Sequence, residues 1–164
     1  MIRKMELEDT ARVSEICVTE WRDAYRGIIS DYILFEKIRI SQKTTQFEAC
    51  TNNPFQENYV YDDGGVKAFL INGPCRNEDK PESYELWGLY VDHTMHNQGI
   101  GTQLIAFGED RARACGYSEV VVWTLEENRH ARKFYENRGY TSDGTVVYIH
   151  KYRVNEVRYY KKLI

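Results

Sequence analysis

Apolar positions along the chain change period several times, and each change marks a predicted element. Ile2 to Met5 reads as a short strand. From Glu8 to Tyr25, Val13, Cys17, Trp21 and Ala24 recur at helical spacing, and Gly27 ends the segment. Ser30 stands where an N-cap would, ahead of a second helical region from Asp31 to Ile40. A third, Gln42 to Cys50, stops before the turn signal Asn52-Asn53-Pro54. Asn58 to Tyr61 and Val66 to Ile71 form a hairpin pattern around Asp62-Asp63-Gly64-Gly65, and Gly73 to Pro81 is a polar loop. The run Tyr84-Glu85-Leu86-Trp87-Gly88-Leu89-Tyr90-Val91 is strand-like and breaks at Asp92. Ile100, Leu104, Phe107 and Ala114, widened by Ile105 and Ala112, then trace a helix that Gly116 caps. Val120 to Leu125 is β-branched and apolar, as a buried strand is. Asn128 to Arg138 is helical up to Gly139, and Thr145 to His150 and Val157 to Leu163 are two last antiparallel strands joined near Arg153 to Asn155.

A strand, a helix and a second strand in that order make a right-handed crossover, so the strands ending at Val91 and Leu125 should lie parallel. The expected architecture is α/β: a mixed, mainly antiparallel sheet flanked by helices, with a central parallel pair, in one domain over residues 1–164. No apolar run approaches the roughly 20 residues of a membrane helix. The segment from Met1 to Glu6 lacks the apolar core of a signal peptide, and Cys17, Cys50, Cys75 and Cys115 are widely spaced. A cytoplasmic protein with reduced, mostly packing thiols and no metal follows as the expectation. A net charge of −3 without a basic block speaks against nucleic acid as the main partner and is compatible with a cationic substrate.

The chemistry centres on His96-Asn97-Gln98-Gly99-Ile100-Gly101-Thr102, between a strand and a helix. The first turn of a helix has amides without internal partners and a partial positive charge. Glycines there let a phosphate approach the backbone. The plain alternative is a loop-to-helix turn that happens to hold two glycines. No Walker loop is present, and Leu104 stands where a dinucleotide fingerprint needs its third glycine or alanine.

These residues resemble the GCN5-related N-acetyltransferases (GNAT), whose acetyl-CoA motif reads Gln/Arg-x-x-Gly-x-Gly/Ala. Glu85 to Asp92 is similar to the family's approach strand, and Trp123 to Tyr140 to its second block, so the likeness covers residues 83–140 closely. His96 replaces the usual Gln/Arg, His93 a frequent Pro and Asn97 a frequent Gly. Asn tolerates left-handed backbone angles, so Asn97 can still make the turn. The resemblance implies backbone contacts from Leu89, Tyr90 and Val91 to the pantetheine arm. It implies pyrophosphate contacts from the backbone of Gln98, Gly99, Ile100, Gly101 and Thr102, with His96, Asn97 and Asn128 also binding coenzyme A. It makes Tyr135 the acid that protonates the departing thiolate. Asn128 and Tyr135 are seven residues apart and share a helix face, and the plain alternatives are an N-cap and a core tyrosine.

Glu85 is a charge inside an apolar strand, at the position where the histone-acetylating branch carries its general base. An exposed place on the strand face is the alternative. Trp21 and Tyr25, with Asp23, resemble the region lining the acceptor pocket, and a core role for Trp21 is the alternative. The expected activity is direct transfer of an acetyl group from acetyl-CoA to a primary amine, a polyamine or another small-molecule or peptide amine. Homodimers are common among such proteins. The competing reading is a non-catalytic module that binds acyl-CoA.

Overall fold

The computed structural model describes residues Met1–Ile164. Seven strands form one sheet: β1 (Ile2–Lys4), β2 (Glu57–Asp62), β3 (Val66–Pro74), β4 (Tyr84–Val91), β5 (Glu119–Leu125), β6 (Thr141–Ile149) and β7 (Val154–Lys162). Their order in space is β1-β2-β3-β4-β5-β7-β6, and every neighbouring pair is antiparallel except β4 and β5. The helices are α1 (Thr10–Ala24), α2 (Ile40–Cys50), α3 (Ile100–Ala114) and α4 (Arg129–Glu136).

Alternation along the strands sorts side chains between two faces. Leu70, Tyr84, Leu86, Val120, Val122 and Tyr159 pack with Ile100, Leu104 and Ile105 of α3 and with Tyr135 of α4. On the other face Phe69 and Val60 meet Val13, Ile16 and Cys17 of α1 and Phe47 of α2. Gly108 lets α3 lie close to the sheet, since a methyl group there would come within 2.8 Å of Leu86 Cδ2.

Some sequence expectations need correction. Ala24 and Ala114 are exposed, while Ile16, Val18 and Gly108 complete the buried faces that strict periodicity left out. The segment expected as a helix from Asp31 is one π-helical turn, Tyr32–Lys37, and the Ser30 carbonyl, not its hydroxyl, receives the first amides. Helix α2 begins at Ile40, because Arg39 is already extended. Strand β6 starts four residues early, around an irregularity between Ser142 and Val146, and the turn into β7 spans His150 to Arg153. Of the free cysteines only Cys17 is buried, so the reading of them as packing residues holds for that one. No helix is long and apolar enough to cross a membrane.

Candidate active site

The end of β4 is tied down before the glycine loop begins. Asp92 accepts from the Thr94 amide at 2.9 Å and its hydroxyl at 2.7 Å, and pairs with Arg12 of α1. Asn97 (φ 62°) and Gly99 (φ 79°) both take left-handed backbone, turning the chain into α3. No side chain caps α3, and the amides of Ile100, Gly101 and Thr102 have no partner. The space beside Gly99 is open, with no atom within 4 Å of a built Cβ. Gly101 differs: a Cβ there would lie 3.1 Å from Phe134 Cζ, so its missing side chain makes room for an aromatic ring of α4.

Beside this helix end the sheet opens. Strands β4 and β5 pair only from Tyr84↔Val120 to Leu86↔Val122. Opposite Ile71 and Asn72 of β3, Trp87 is an extra residue, and such bulges bend a strand. Beyond it β4 and β5 diverge, leaving their facing backbone groups unpaired with each other. The resulting groove encloses about 820 Å3. It brings together Leu89, Tyr90, Val91, His96, Asn97, Gly99, Ile100, Gly101, Thr102, Asn128 and Tyr135. Gln98 is not in its lining, and its side-chain amide is turned back toward Thr94 and Met95.

The His96 imidazole is engaged within the chain. Its Nε2 lies 2.8 Å from the Val91 carbonyl and 3.0 Å from Glu20 Oε2, so that nitrogen carries the proton and donates. Burial raises the Glu20 carboxyl above its ordinary range, against the opposing pull of His96. Asn128 lines the groove and caps α4, its Oδ1 accepting from the Ala131 amide at 3.1 Å.

Tyr135 is 8% exposed, with its ring edge-on to Phe134 and Tyr140. No protein group hydrogen-bonds its hydroxyl. Burial, then the nearby Tyr25, pushes the phenol well above its ordinary value, with Arg138 pulling the other way. It is therefore protonated throughout the neutral range.

A second chamber of about 390 Å3 adjoins the groove and shares Tyr25, Trp87, Tyr90, Trp123 and Thr124 with it. Trp21 and Glu85 face only this chamber. Trp21 donates through Nε1 to the Tyr90 hydroxyl at 2.9 Å, and the Tyr25 and Tyr90 hydroxyls lie 3.3 Å apart. Glu85 is 1% exposed, which removes its surface alternative. Arg76 holds it, with Nη2 at 2.5 Å from Oε1 and its own amide at 2.9 Å from Oε2.

Several lining residues escaped sequence reasoning. Arg138 stacks 3.6 Å above the Phe134 ring and hydrogen-bonds Thr102, so it carries a cation to the start of α3. The Trp87 Nε1 donor is buried without a partner, and the Arg76 guanidinium covers its ring at 4.6 Å. Glu156 enters the second chamber from β7. Basic residues just after Asn128, among them Lys133 and Arg138, were a signal for an anionic ligand. Nothing in the sequence brings Arg76 or Glu156 to Glu85.

Comparison with known proteins meets the same stretch of chain. The profile of the Acetyltransferase (GNAT) family matches residues 17–140. The uncharacterized N-acetyltransferase YuaI of Bacillus subtilis (strain 168) is 30% identical over 131 residues, covering 77% of this chain and 72% of YuaI. Among solved structures, the PaiA N-acetyltransferase of Thermoplasma acidophilum, in complex with coenzyme A, superposes with a TM-score of 0.74. It is 20% identical, over 99% of this chain and 98% of that one. YncA of Salmonella typhimurium, solved with acetyl-CoA, gives 0.72 at 17% identity over 100% and 94%. The profile spans the glycine loop, the open strand pair and the helix bearing Tyr135, and the chain belongs to the Acetyltransferase (GNAT) family.

Proposed function

We propose that the chain is an acetyl-CoA-dependent N-acetyltransferase that passes the acetyl group directly to a primary amine. The observation that carries this reading is the junction of two open structures. The gap between β4 and β5 runs into the unpaired amides of Ile100, Gly101 and Thr102, and Tyr135 stands along the same wall. Amides at a helix start suit a pyrophosphate. Unpaired strand backbone at Leu89, Tyr90 and Val91 suits the amides of a pantetheine arm. The open side of Gly99 leaves room for a ligand of this size. YncA and PaiA, bound to acetyl-CoA and coenzyme A respectively, support the choice of donor.

The amine nitrogen attacks the thioester carbonyl, forming C–N as C–S breaks, and the Tyr135 phenol protonates the leaving thiolate. An unpaired amide on β4 next to the Trp87 bulge meets the oxyanion. Trp21 and Tyr25 line the acceptor side. Glu85 belongs to that side as well, and it serves as proton acceptor only when its pairing with Arg76 opens. A single domain over residues 1–164, working in the cytoplasm on a small-molecule or peptide amine, alone or as a homodimer, completes the proposal.

The test is thiol release from acetyl-CoA with a panel of primary amines, alongside calorimetry with coenzyme A. Binding and amine-dependent thiol release support the enzyme. Tight binding with no release across the panel would instead make the chain an acyl-CoA-binding module, and absence of binding would remove both readings.

A further inference from the structure

The charges of the second chamber do not balance, and the imbalance describes an acceptor. The following rests on the acetyltransferase reading above. Arg76 and Glu85 offset one another at 2.5 Å. Glu156 faces the same chamber, partly buried, and no protein donor reaches its carboxylate. Around it stand Arg76 from the β3–β4 loop and Glu85 from β4, with the phenols of Tyr25 on α1, Tyr90 on β4 and Tyr152 in the β6–β7 turn. The lining from β5 and β6 is uncharged: Trp123, Thr124, Leu125 and Val147. One carboxylate is thus left without a counter-charge.

The walls say what body accompanies that charge. Trp21, Tyr25, Trp87, Trp123 and Tyr152 surround the space, and aromatic faces attract both ammonium and apolar groups. A volume of about 390 Å3 suits one small molecule. A polyamine would place further ammonium groups against Arg76 or against rings without a counter-ion.

We propose that this chamber takes a compact amine with a single positive charge on an aromatic or apolar body, and that Glu156 receives its ammonium and accepts its proton. Burial raises the Glu156 carboxyl above its ordinary range, with Arg76 opposing and Glu85 adding to the rise. A more basic carboxylate suits proton removal near neutral pH. The nitrogen gives up two protons overall. One passes to Glu156 and on to solvent. After attack, the second restores the Tyr135 phenol that protonated the thiolate.

The experiment compares 2-phenylethylamine, spermidine and an alanyl tripeptide, by calorimetry with the protein–coenzyme A complex and by thiol release from acetyl-CoA. We expect 2-phenylethylamine to bind and to be acetylated with kcat/KM at least about tenfold above the other two, a margin of roughly 1.4 kcal/mol. Glu156→Gln should lower kcat/KM roughly 10²-fold near neutral pH and abolish the ascending limb of the pH profile, at unchanged coenzyme A affinity. Glu156→Asp, which keeps the charge, should keep amine binding. Preference for spermidine or the peptide, or a Glu156→Gln profile that keeps its limb, would overturn the proposal. The two readings fail separately: binding of 2-phenylethylamine without thiol release from any amine refutes the enzyme but not the chamber, and turnover of the peptide alone does the reverse.

Discussion

Replacing Tyr135 by phenylalanine separates chemistry from packing more sharply than any other single change. The ring is 8% exposed and packs against Phe134 and Tyr140 at centroid separations of 5.4 and 5.7 Å, contacts that phenylalanine keeps. The hydroxyl has no protein partner, so its removal breaks no internal hydrogen bond. Tyr135 lines the groove and its hydroxyl has no protein bond to lose, so the change should move stability by no more than about 0.5 kcal/mol. For a chain of this length that is under about 2 °C in Tm. An acid that protonates the leaving thiolate accounts for roughly 10²-fold or more in kcat, about 2.7 kcal/mol of barrier. The predicted signature is a large loss of kcat at native Tm and native coenzyme A affinity. The loss should shrink with a thioester whose leaving thiol is more acidic, since that thiolate needs the proton less. Because burial holds the phenol above its ordinary value of 10, the wild-type rate should show no loss of the acid form anywhere in the neutral range. Stopped-flow turnover with both donors, beside thermal melts and calorimetry, reads all three quantities. Full kcat in Tyr135→Phe, or a loss equal with both donors, would return this tyrosine to the core.

At Gly99, the left-handed φ of 79° with open space around it predicts strain without a clash, so Gly99→Ala should cost about 1–2 kcal/mol and Gly99→Asn less, as melting temperatures in the order Gly, Asn, Ala would show. Asn128→Asp should preserve the α4 cap and its stability while weakening coenzyme A binding in calorimetry, whereas Asn128→Ala should also lose about 1 kcal/mol in urea unfolding. Burial works against ionisation of Glu119, but Lys162, Lys80 and Ser83 outweigh it and bring its pKa from 4.5 down to about 2. The folded value lies below the unfolded one, so this stabilisation is complete above about pH 4.5 and disappears as pH falls toward 2. Glu119→Gln should therefore flatten the pH dependence of the urea midpoint across that window; a slope equal to wild type would show that other groups set it.

Local order determined much of this protein from the sequence alone. Periods of 3.6 and 2 residues placed nearly every helix and strand, and the glycines at positions 99, 116 and 139 all take the positive φ that their turns need. Asn97 does so too, which is why the motif survives the loss of a frequent glycine there. Such features depend on a few adjacent residues, and their energetics are written in side-chain type. The Asp31 to Ile40 segment shows the limit: its apolar residues fit a helix, yet the chain makes one π-helical turn before Arg39 extends, so that Leu34 and Ile38 reach the cluster around Val18 and Ile29.

The site's charges were decided by tertiary structure. Glu85 was legible as an anomalous charge, but its partner comes from the β3–β4 loop, folded back over the strand. Glu156 shares the chamber only because β7 lies beside β5 in the sheet, an order that periodicity does not encode. The opening between β4 and β5 follows from one extra residue at Trp87, whose bulge redirects the strand without altering its apolar pattern. Gly101 had the right identity for a phosphate loop, but the space beside it is taken by Phe134, brought there when α4 packs against α3. In each case the deciding contact joins residues far apart in the chain, whose distance is set by sheet order and helix packing.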